Sequence, residues 1–131
     1  MMWFFFILGI LILGLLLLWI IHAKRRKFSE HDRKLFKAKW VEILQLKFRN
    51  PKEALMEADK LLDWALAKKG YSGTLSEKLK RTKRLFSDLD GLWNAHRKRN
   101  ELVHEVESSV SPKEAGRFLS SYNSAFRDLG L

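Results

Sequence analysis

The sequence predicts an all-α protein in which a single N-terminal transmembrane helix precedes an antiparallel bundle of about five helices. Three observations predict it. The first 21 residues carry no charged side chain, the later residues place apolar side chains at helical spacing, and capping residues divide them into segments. Helices joined by short loops pack as antiparallel neighbours. We expect a transmembrane anchor over residues 1–22, a basic juxtamembrane linker over 23–29 and a helical bundle over 30–131.

The apolar segment from Met1 to Ile21 matches a bilayer in length. A helix of that length spans about 31 Å, close to the hydrocarbon thickness of a membrane. Trp3 and Trp19 lie near its two ends, where amphipathic rings prefer the interface. A cleaved signal peptide is the competing interpretation. It would need a charged segment before the apolar one, a shorter apolar core and a small-residue cleavage site.

Four basic residues follow the apolar segment, and no basic residue precedes it. Positive charge marks the cytoplasmic side of a membrane helix. We therefore expect an uncleaved single-pass anchor in the plasma (inner) membrane, with the C-terminal domain in the cytoplasm. The residues expected to face the membrane surface are Lys24, Arg25, Arg26 and Lys27.

Capping residues predict the first two helices of the bundle. The first begins near Ser29, with Asp32 three residues later, and ends at Pro51. Asn50 then caps a second helix, and Gly70 closes it. The expected apolar stripes are Leu35, Phe36, Trp40, Ile43, Leu44 and Phe48 on the first helix and Leu55, Ala58, Leu61 or Leu62, Ala65 and Leu66 on the second.

Three further helices are predicted after a loop at residues 71–73. Thr74 and Glu77 form a capping box for the third helix, a break at 87–91 precedes the fourth, and Ser111 caps the last. The expected inward residues are Leu92, Trp93, His96, Asn100 and Val103 on the fourth helix and Phe118, Leu119, Tyr122, Phe126 and Leu129 on the last.

The charge balance favours a polyanionic partner. The chain has 25 Lys and Arg against 15 Asp and Glu, a formal net charge of +10, and all of these residues lie at position 24 or later. Such an excess favours RNA, DNA or anionic lipid. Solvated helix faces are the alternative interpretation of the charge runs. We expect RNA as the partner, contacted by Arg81, Arg84, Arg97 and Lys98.

Arg99, Asn100 and His104 form the pattern R-N-x-x-x-H, which can act on a phosphodiester. A guanidinium donates two hydrogen bonds to a phosphate, and an imidazole exchanges protons near neutral pH. On a helix Arg99 and His104 lie about 140° apart, while Asn100 and His104 are aligned. We predict these three as catalytic residues. The alternative is a solvated arginine and a structural histidine.

His96, Asn100 and His104 form a polar line along one helix, beside Trp93. A polar line at a helix interface is costly unless paired, so it predicts a buried network or a site, with His96 and Trp93 in supporting roles. Asp59 and Asp63 are expected to be surface acids, one of which could pair with Arg99.

Metal and cofactor sites have little support in the sequence. Glu101 and His104 have the Glu-x-x-His spacing of a di-iron bundle, but no second such motif occurs. There is no Gly-rich phosphate loop and no Gly-x-Ser-x-Gly motif. The absence of cysteine excludes disulfides and thiolate metal sites and agrees with a reducing cytoplasm. We expect no metal and no cofactor.

Residues 30–130 resemble the HEPN domain (higher eukaryotes and prokaryotes nucleotide-binding), a helical bundle with an arginine and a histidine four to six residues apart. They are also similar to small bacterial proteins that carry Ala-Asp-Lys-Leu-Leu-Asp, Gly-Tyr-x-Gly and Trp-x-x-His-x-x-Arg-Asn-x-x-x-His. The resemblance implies a homodimer whose paired Arg and His side chains share one cleft. It also implies RNA cleavage without metal, in which the histidine assists attack by the 2′-hydroxyl and the arginine holds the phosphate. Many members of the family are instead non-catalytic and serve as RNA-binding or interaction modules. The matching positions here are Ala58 to Asp63, Gly70 to Gly73, Trp93, His96, Arg99, Asn100 and His104.

Overall fold

The structure, a computed structural model, describes residues 1–24 and 27–131. Within them every regular element is helical, which confirms the predicted fold class. The α-helices are α1 Met2–Lys24, α2 Glu30–Arg49, α3 Pro51–Lys68, α4 Leu75–Thr82, α5 Leu89–His104 and α6 Pro112–Asp128; a 3-10 turn, Lys83–Leu85, follows α4.

Helix α1 is long and apolar enough over Met2–Ile21 to cross a membrane. Its large apolar side chains are exposed, as expected of a helix whose solvent would be lipid. Of the four basic residues expected at the membrane surface, Arg25, Arg26 and the side chain of Lys24 lie outside the described part of the chain.

The predicted caps set the helix boundaries. Ser29 accepts from the N–H of Asp32 while the Asp32 carboxylate accepts from the N–H of Ser29, and equivalent capping boxes start α4 and α6. Asn50 caps α3 in the same way through the N–H of Glu53. Helix α3 ends at Lys68, and Gly70 follows the C-cap in a left-handed conformation (φ 96°), in which glycine has no Cβ to clash.

Helix α3 lies at the centre of the bundle and contacts α2, α4, α5 and α6. Three alanines on it allow neighbouring helices to approach closely, because interaxial distance depends on side-chain size at the contact. The residues of α3 with no exposed surface are Ala54, Leu55, Ala58, Leu62, Ala65 and Leu66. The stripe predicted for this helix is therefore confirmed.

Two other predicted stripes are only partly correct. On α2, Phe36 and Ile43 are buried, and Phe36 packs edge to face on Phe126 of α6 at 4.8 Å between ring centroids. The outer residues of that stripe, Leu35, Leu44 and Phe48, are exposed because α2 lies at the edge of the bundle. On α5, Leu102 is buried and Val103 is 41% exposed, so the inward direction predicted for Val103 is wrong.

Candidate functional site

His96, on α5, is buried and hydrogen-bonded to a carboxylate on α3. Its Nδ1 lies 2.9 Å from Oδ1 of Asp59, and the two residues are 5% and 4% exposed. An ionised carboxylate can only accept hydrogen bonds, so Nδ1 carries the proton and donates it when Asp59 is ionised. In a neutral imidazole the other ring nitrogen, Nε2, is then an acceptor with a free lone pair.

Asp59 joins three helices through its two carboxylate oxygens. Tyr122, buried on α6, donates its hydroxyl to Oδ1 at 2.7 Å. Burial, reinforced by the negative charge of Asp59, raises the pKa of Tyr122 well above its ordinary value, so the phenol stays a donor. Arg99 on α5 brings its Nε to 3.4 Å from Oδ2, and this Nε is buried with no hydrogen-bond acceptor among the described residues.

The acceptor nitrogen of His96 faces two donors. Ser76 places its Oγ 3.1 Å from Nε2, and Asn100 places its Nδ2 3.3 Å from it. The amide oxygen of Asn100 accepts from Nη1 of Arg99 at 2.9 Å, which turns the amide nitrogen towards the imidazole. Ser76 lies in the first turn of α4, which begins after the capping residue Thr74.

These side chains line an open pocket of about 330 Å³. Sites for small ligands begin at about this size. The pocket combines a permanently charged guanidinium with an imidazole whose Nε2 is a base when the ring is neutral. It can therefore hold an anionic oxygen and place a base beside it. The lining residues are Asp59, Lys60, Asp63, Thr74, Leu75, Ser76, His96, Arg99 and Asn100.

The residues predicted as catalytic are not all in this pocket. Arg99 and Asn100 line it, and so does His96; Trp93 contacts the His96 ring edge to face, with 6.0 Å between centroids. His104 is exposed in the last turn of α5 and is not among the lining residues. Within one chain the histidine that shares a pocket with Arg99 is therefore His96.

The basic residues predicted to contact RNA lie on two helical surfaces. Arg81 and Arg84 are exposed on α4 and the 3-10 turn after it. On α5, Arg97 is exposed, while Lys98 is half-buried and donates to Glu101 at 2.8 Å. Three of the four are thus accessible to a polyanion, and the charge of Lys98 is shared with a carboxylate.

Glu101, considered above for its metal-ligand spacing, accepts hydrogen bonds from two side chains. The hydrogen bond from Lys98, followed by one from Ser108, lowers the pKa of Glu101. Among the described residues, no group of three His, Cys, Asp or Glu side chains is placed to hold a metal ion. Glu101 instead connects α5 to the loop that follows it.

The prediction that Asp59 is a surface acid is wrong, whereas its suggested pairing with Arg99 is confirmed. Asp59 lies four residues after Leu55 and three before Leu62, both fully buried. Helical periodicity places all three on one face, so the apolar stripe itself signals a buried carboxylate. Asp63, four residues later, is only half-buried.

Two members of the network have no signal in the sequence. Tyr122 is predicted only as an apolar contact, and its hydrogen bond to Asp59 depends on how α6 packs on α3. Ser76 looks like an ordinary first-turn residue of α4. Its position beside His96, 20 residues away in the chain, is fixed by tertiary packing alone.

Comparison of the chain with protein-family models, characterised proteins and solved structures finds no match.

Proposed function

We propose that this chain is a membrane-anchored, HEPN-like, RNA-directed module, and that its pocket binds a phosphodiester and cleaves RNA without a metal ion. One observation carries the proposal. Nε2 of His96, an acceptor when the ring is neutral and donates from Nδ1 to Asp59, faces the same pocket as the guanidinium of Arg99. A base and a phosphate-binding cation are the two groups that RNA transesterification needs.

In the proposed reaction, Nε2 of His96 takes the proton of an RNA 2′-hydroxyl. The 2′-oxygen attacks the adjacent phosphorus, the bond from phosphorus to the 5′-oxygen breaks, and the leaving oxygen takes a proton from water. The imidazolium then gives its proton to the hydroxide that remains, which restores the base. Arg99 holds the non-bridging oxygens, where negative charge increases. Asp59 keeps the imidazole in the tautomer that accepts at Nε2, and it stabilises the imidazolium that forms.

Exposed cations in the pocket and on α4 and the turn after it are available to an RNA backbone. Lys60 lines the pocket, and Arg81 and Arg84 are exposed on and just after α4, whose first turn also lines it. Phosphate contacts of this kind are independent of sequence and weaken as salt rises. We expect RNA affinity to fall steeply between about 50 mM and about 200 mM salt.

The decisive experiment incubates the full chain in detergent with single-stranded RNA in EDTA. His96→Gln should reduce turnover by about 100-fold or more, since general-base catalysis contributes that much. His31→Gln, which changes an exposed histidine on α2, is the matched control and should retain turnover. Arg99→Ala should weaken binding and turnover together, with Arg49→Ala at the exposed end of α2 as its control.

The variant His104→Ala distinguishes the two histidines. Retained turnover supports His96 as the base. Loss of turnover in His104→Ala, with His96→Gln active, would instead support the pair predicted from the sequence, Arg99 and His104. Absence of both RNA binding and turnover in the wild type would refute an RNA-directed function.

A non-catalytic, membrane-attached interaction protein is the second candidate. It is favoured by the partners that His96 and Asp59 already have, because both ring nitrogens of His96 and both oxygens of Asp59 are engaged. The exposed apolar side chains of α2 offer a surface for such a partner; they are Leu35, Val41, Leu44 and Phe48. In that case His96→Gln would destabilise the domain with no activity to lose.

We also propose a homodimer whose isologous interface includes α5 or its neighbour. Val103 and Val106, at and beyond the C-terminal end of α5, are exposed apolar residues beside His104. Val103→Asp should shift the protein towards monomer in sedimentation of the full chain in detergent. Val41→Asp, on the exposed face of α2, is the matched control. A wild type that remains monomeric at high concentration would exclude the dimer.

A further inference from the structure

Ser76, which the proposed RNA cleavage does not use, stands in a hydrogen-bonded series with His96 and Asp59. Oγ of Ser76 lies 3.1 Å from Nε2 of His96, and Nδ1 of the same ring lies 2.9 Å from Oδ1 of Asp59. The hydroxyl, the imidazole and the buried carboxylate occupy the order in which a serine nucleophile is activated. The serine also lines the pocket, where a substrate could reach it.

We propose that Ser76 is an activated nucleophile, and that this pocket attacks phosphodiesters that have no 2′-hydroxyl. The inference rests on the proposed phosphodiester pocket, but it does not depend on RNA. The cation at the pocket, Arg99, favours an anionic phosphorus centre over a neutral ester. The mostly polar lining agrees with that choice.

The reaction has two balanced steps. Nε2 of His96 takes the hydroxyl proton of Ser76 while Oγ attacks phosphorus, a new O–P bond forms, and the bond to the alcohol leaving group breaks. The leaving alkoxide takes that proton back from His96, which leaves a seryl phosphodiester. Water then attacks phosphorus, His96 takes its proton, and the serine leaves with a proton returned to Oγ.

Asn100 sets a limit on this geometry. Its Nδ2 also points at Nε2 of His96, at 3.3 Å, slightly farther than the serine oxygen. The single lone pair of Nε2 cannot serve both donors fully. Replacing Asn100 by alanine should remove the competing donor and increase the reactivity of Ser76.

The first test uses a fluorophosphonate on the full chain in detergent. Oγ of Ser76 should displace fluoride and form a stable phosphonate ester, located by mass spectrometry of peptides. Ser76→Ala should abolish the label, whereas Ser72→Ala, at an exposed serine four residues earlier, should keep it. Bis(4-nitrophenyl) phosphate is the substrate probe, and its hydrolysis should follow the same pattern.

The second test uses the absence of cysteine from the chain. Ser76→Cys introduces the only thiol, and its alkylation rate by iodoacetamide at neutral pH reports how strongly His96 removes its proton. It should exceed that of Ser72→Cys by about tenfold or more, as expected for a thiol beside a base. Adding His96→Gln to the Ser76→Cys variant should remove the excess alkylation rate. This variant distinguishes the effect of the imidazole on the thiol from the effect of the helix N-terminus at the start of α4.

Three results would overturn the proposal. The two thiols could be alkylated at equal rates, His96→Gln could leave the alkylation rate of the Ser76→Cys variant unchanged, or the fluorophosphonate label could persist in Ser76→Ala. These failures differ from failure of the proposed function. RNA cleavage that continues in Ser76→Ala shows that the 2′-hydroxyl route does not need the serine, and the fluorophosphonate and thiol tests then decide the serine route by themselves. If the wild type does not bind RNA, the proposed function is refuted, and the thiol test still reports on the reactivity of Ser76.

Discussion

Tyr122 and Asp59, 63 residues apart in the chain, share a hydrogen bond of 2.7 Å in the interior of the bundle. This bond ties α6 to α3, and through His96 the same carboxylate ties α3 to α5. A charge buried at such a junction is tolerated only if several donors replace its water. The side chains that position the pocket are therefore also those that hold three helices together.

Loss of the carboxylate should destabilise the bundle strongly. Asp59→Ala leaves Tyr122, His96 and Arg99 without their shared partner, and we expect a loss of about 3–5 kcal/mol in the free energy of unfolding. Asp59→Asn keeps the volume and one acceptor and should cost less. Denaturant unfolding of the full chain in detergent measures both. Asp90→Ala, at an exposed acid in the first turn of α5, should change stability by no more than about 0.5 kcal/mol.

Tyr122 should make the bundle sensitive to alkaline pH. Burial raises the pKa of Tyr122 in the folded protein, whereas the unfolded chain titrates near the ordinary value of about 10. A raised folded pKa gives stability that is fully present below the unfolded pKa and is lost as pH rises towards the folded one. Tyr122→Phe removes this pH-dependent contribution to stability. It also removes a hydrogen bond to a charged group, and such a bond contributes about 1.5–3 kcal/mol to the free energy of unfolding at neutral pH.

The stability difference between wild type and Tyr122→Phe should therefore narrow as pH rises above about 10. Tyr71→Phe is the control, because Tyr71 is only partly buried at the packed edge of the core. A difference that stays constant across alkaline pH would contradict the assignment of the phenol as a buried donor.

Asp32 should make the stability of the bundle sensitive to acid, whereas Tyr122 makes it sensitive to alkali. The N–H of Ser29, together with the Ser29 side chain and Lys68, lowers the pKa of Asp32. A lowered folded pKa gives stability that is present above the unfolded value of about 3.9 and is lost as pH falls through the folded value. We expect Asp32→Asn to be less stable than wild type at neutral pH and to approach it in strong acid. Glu30→Gln, at an exposed acid in the same turn, controls for charge removal.

The orientation proposed for the anchor can be tested on intact cells. Protease added outside should leave residues 24–131 uncut, since the basic residues after α1 predict a cytoplasmic domain. After the cells are permeabilised the same protease should cleave it. Fractionation provides the second measurement: an uncleaved anchor keeps the chain in the membrane at its full length, whereas a cleaved signal sequence would release a shorter, soluble product.

Much of the fold could be predicted because its signals are local. Ser29, Asn50, Thr74 and Ser111 each supply an oxygen to unpaired N–H groups within three residues, so their effect does not depend on the rest of the chain. The stripe on α3 was also readable, since a central helix is apolar on most of its surface. The stripe predicted for α2 includes residues that are exposed in the structure, because helical periodicity does not tell how many neighbouring helices pack on a helix.

The site was harder to predict because its side chains come from helices that are far apart in the sequence. Arg99 and Asn100 were recognised from a motif on one helix, and that motif pointed to His104 on the same helix. The pocket instead combines Arg99 with His96, Asp59 and Ser76, which lie on three different helices. Local spacing therefore pairs Arg99 with His104, whereas tertiary packing places His96 in the pocket with Arg99.

The sequence by itself determined the helical elements, their caps, the long apolar first helix and the basic charge of the rest, because each is a property of composition or of neighbours within one or two turns. Only the tertiary structure decided that Asp59 is buried, that Tyr122 and His96 donate to it, and that Ser76 meets the free nitrogen of the imidazole. The physical reason is that a hydrogen bond depends on positions within a few tenths of an ångström. Helical periodicity fixes the face of a residue, and the packing of α3, α4, α5 and α6 fixes which side chains meet across it.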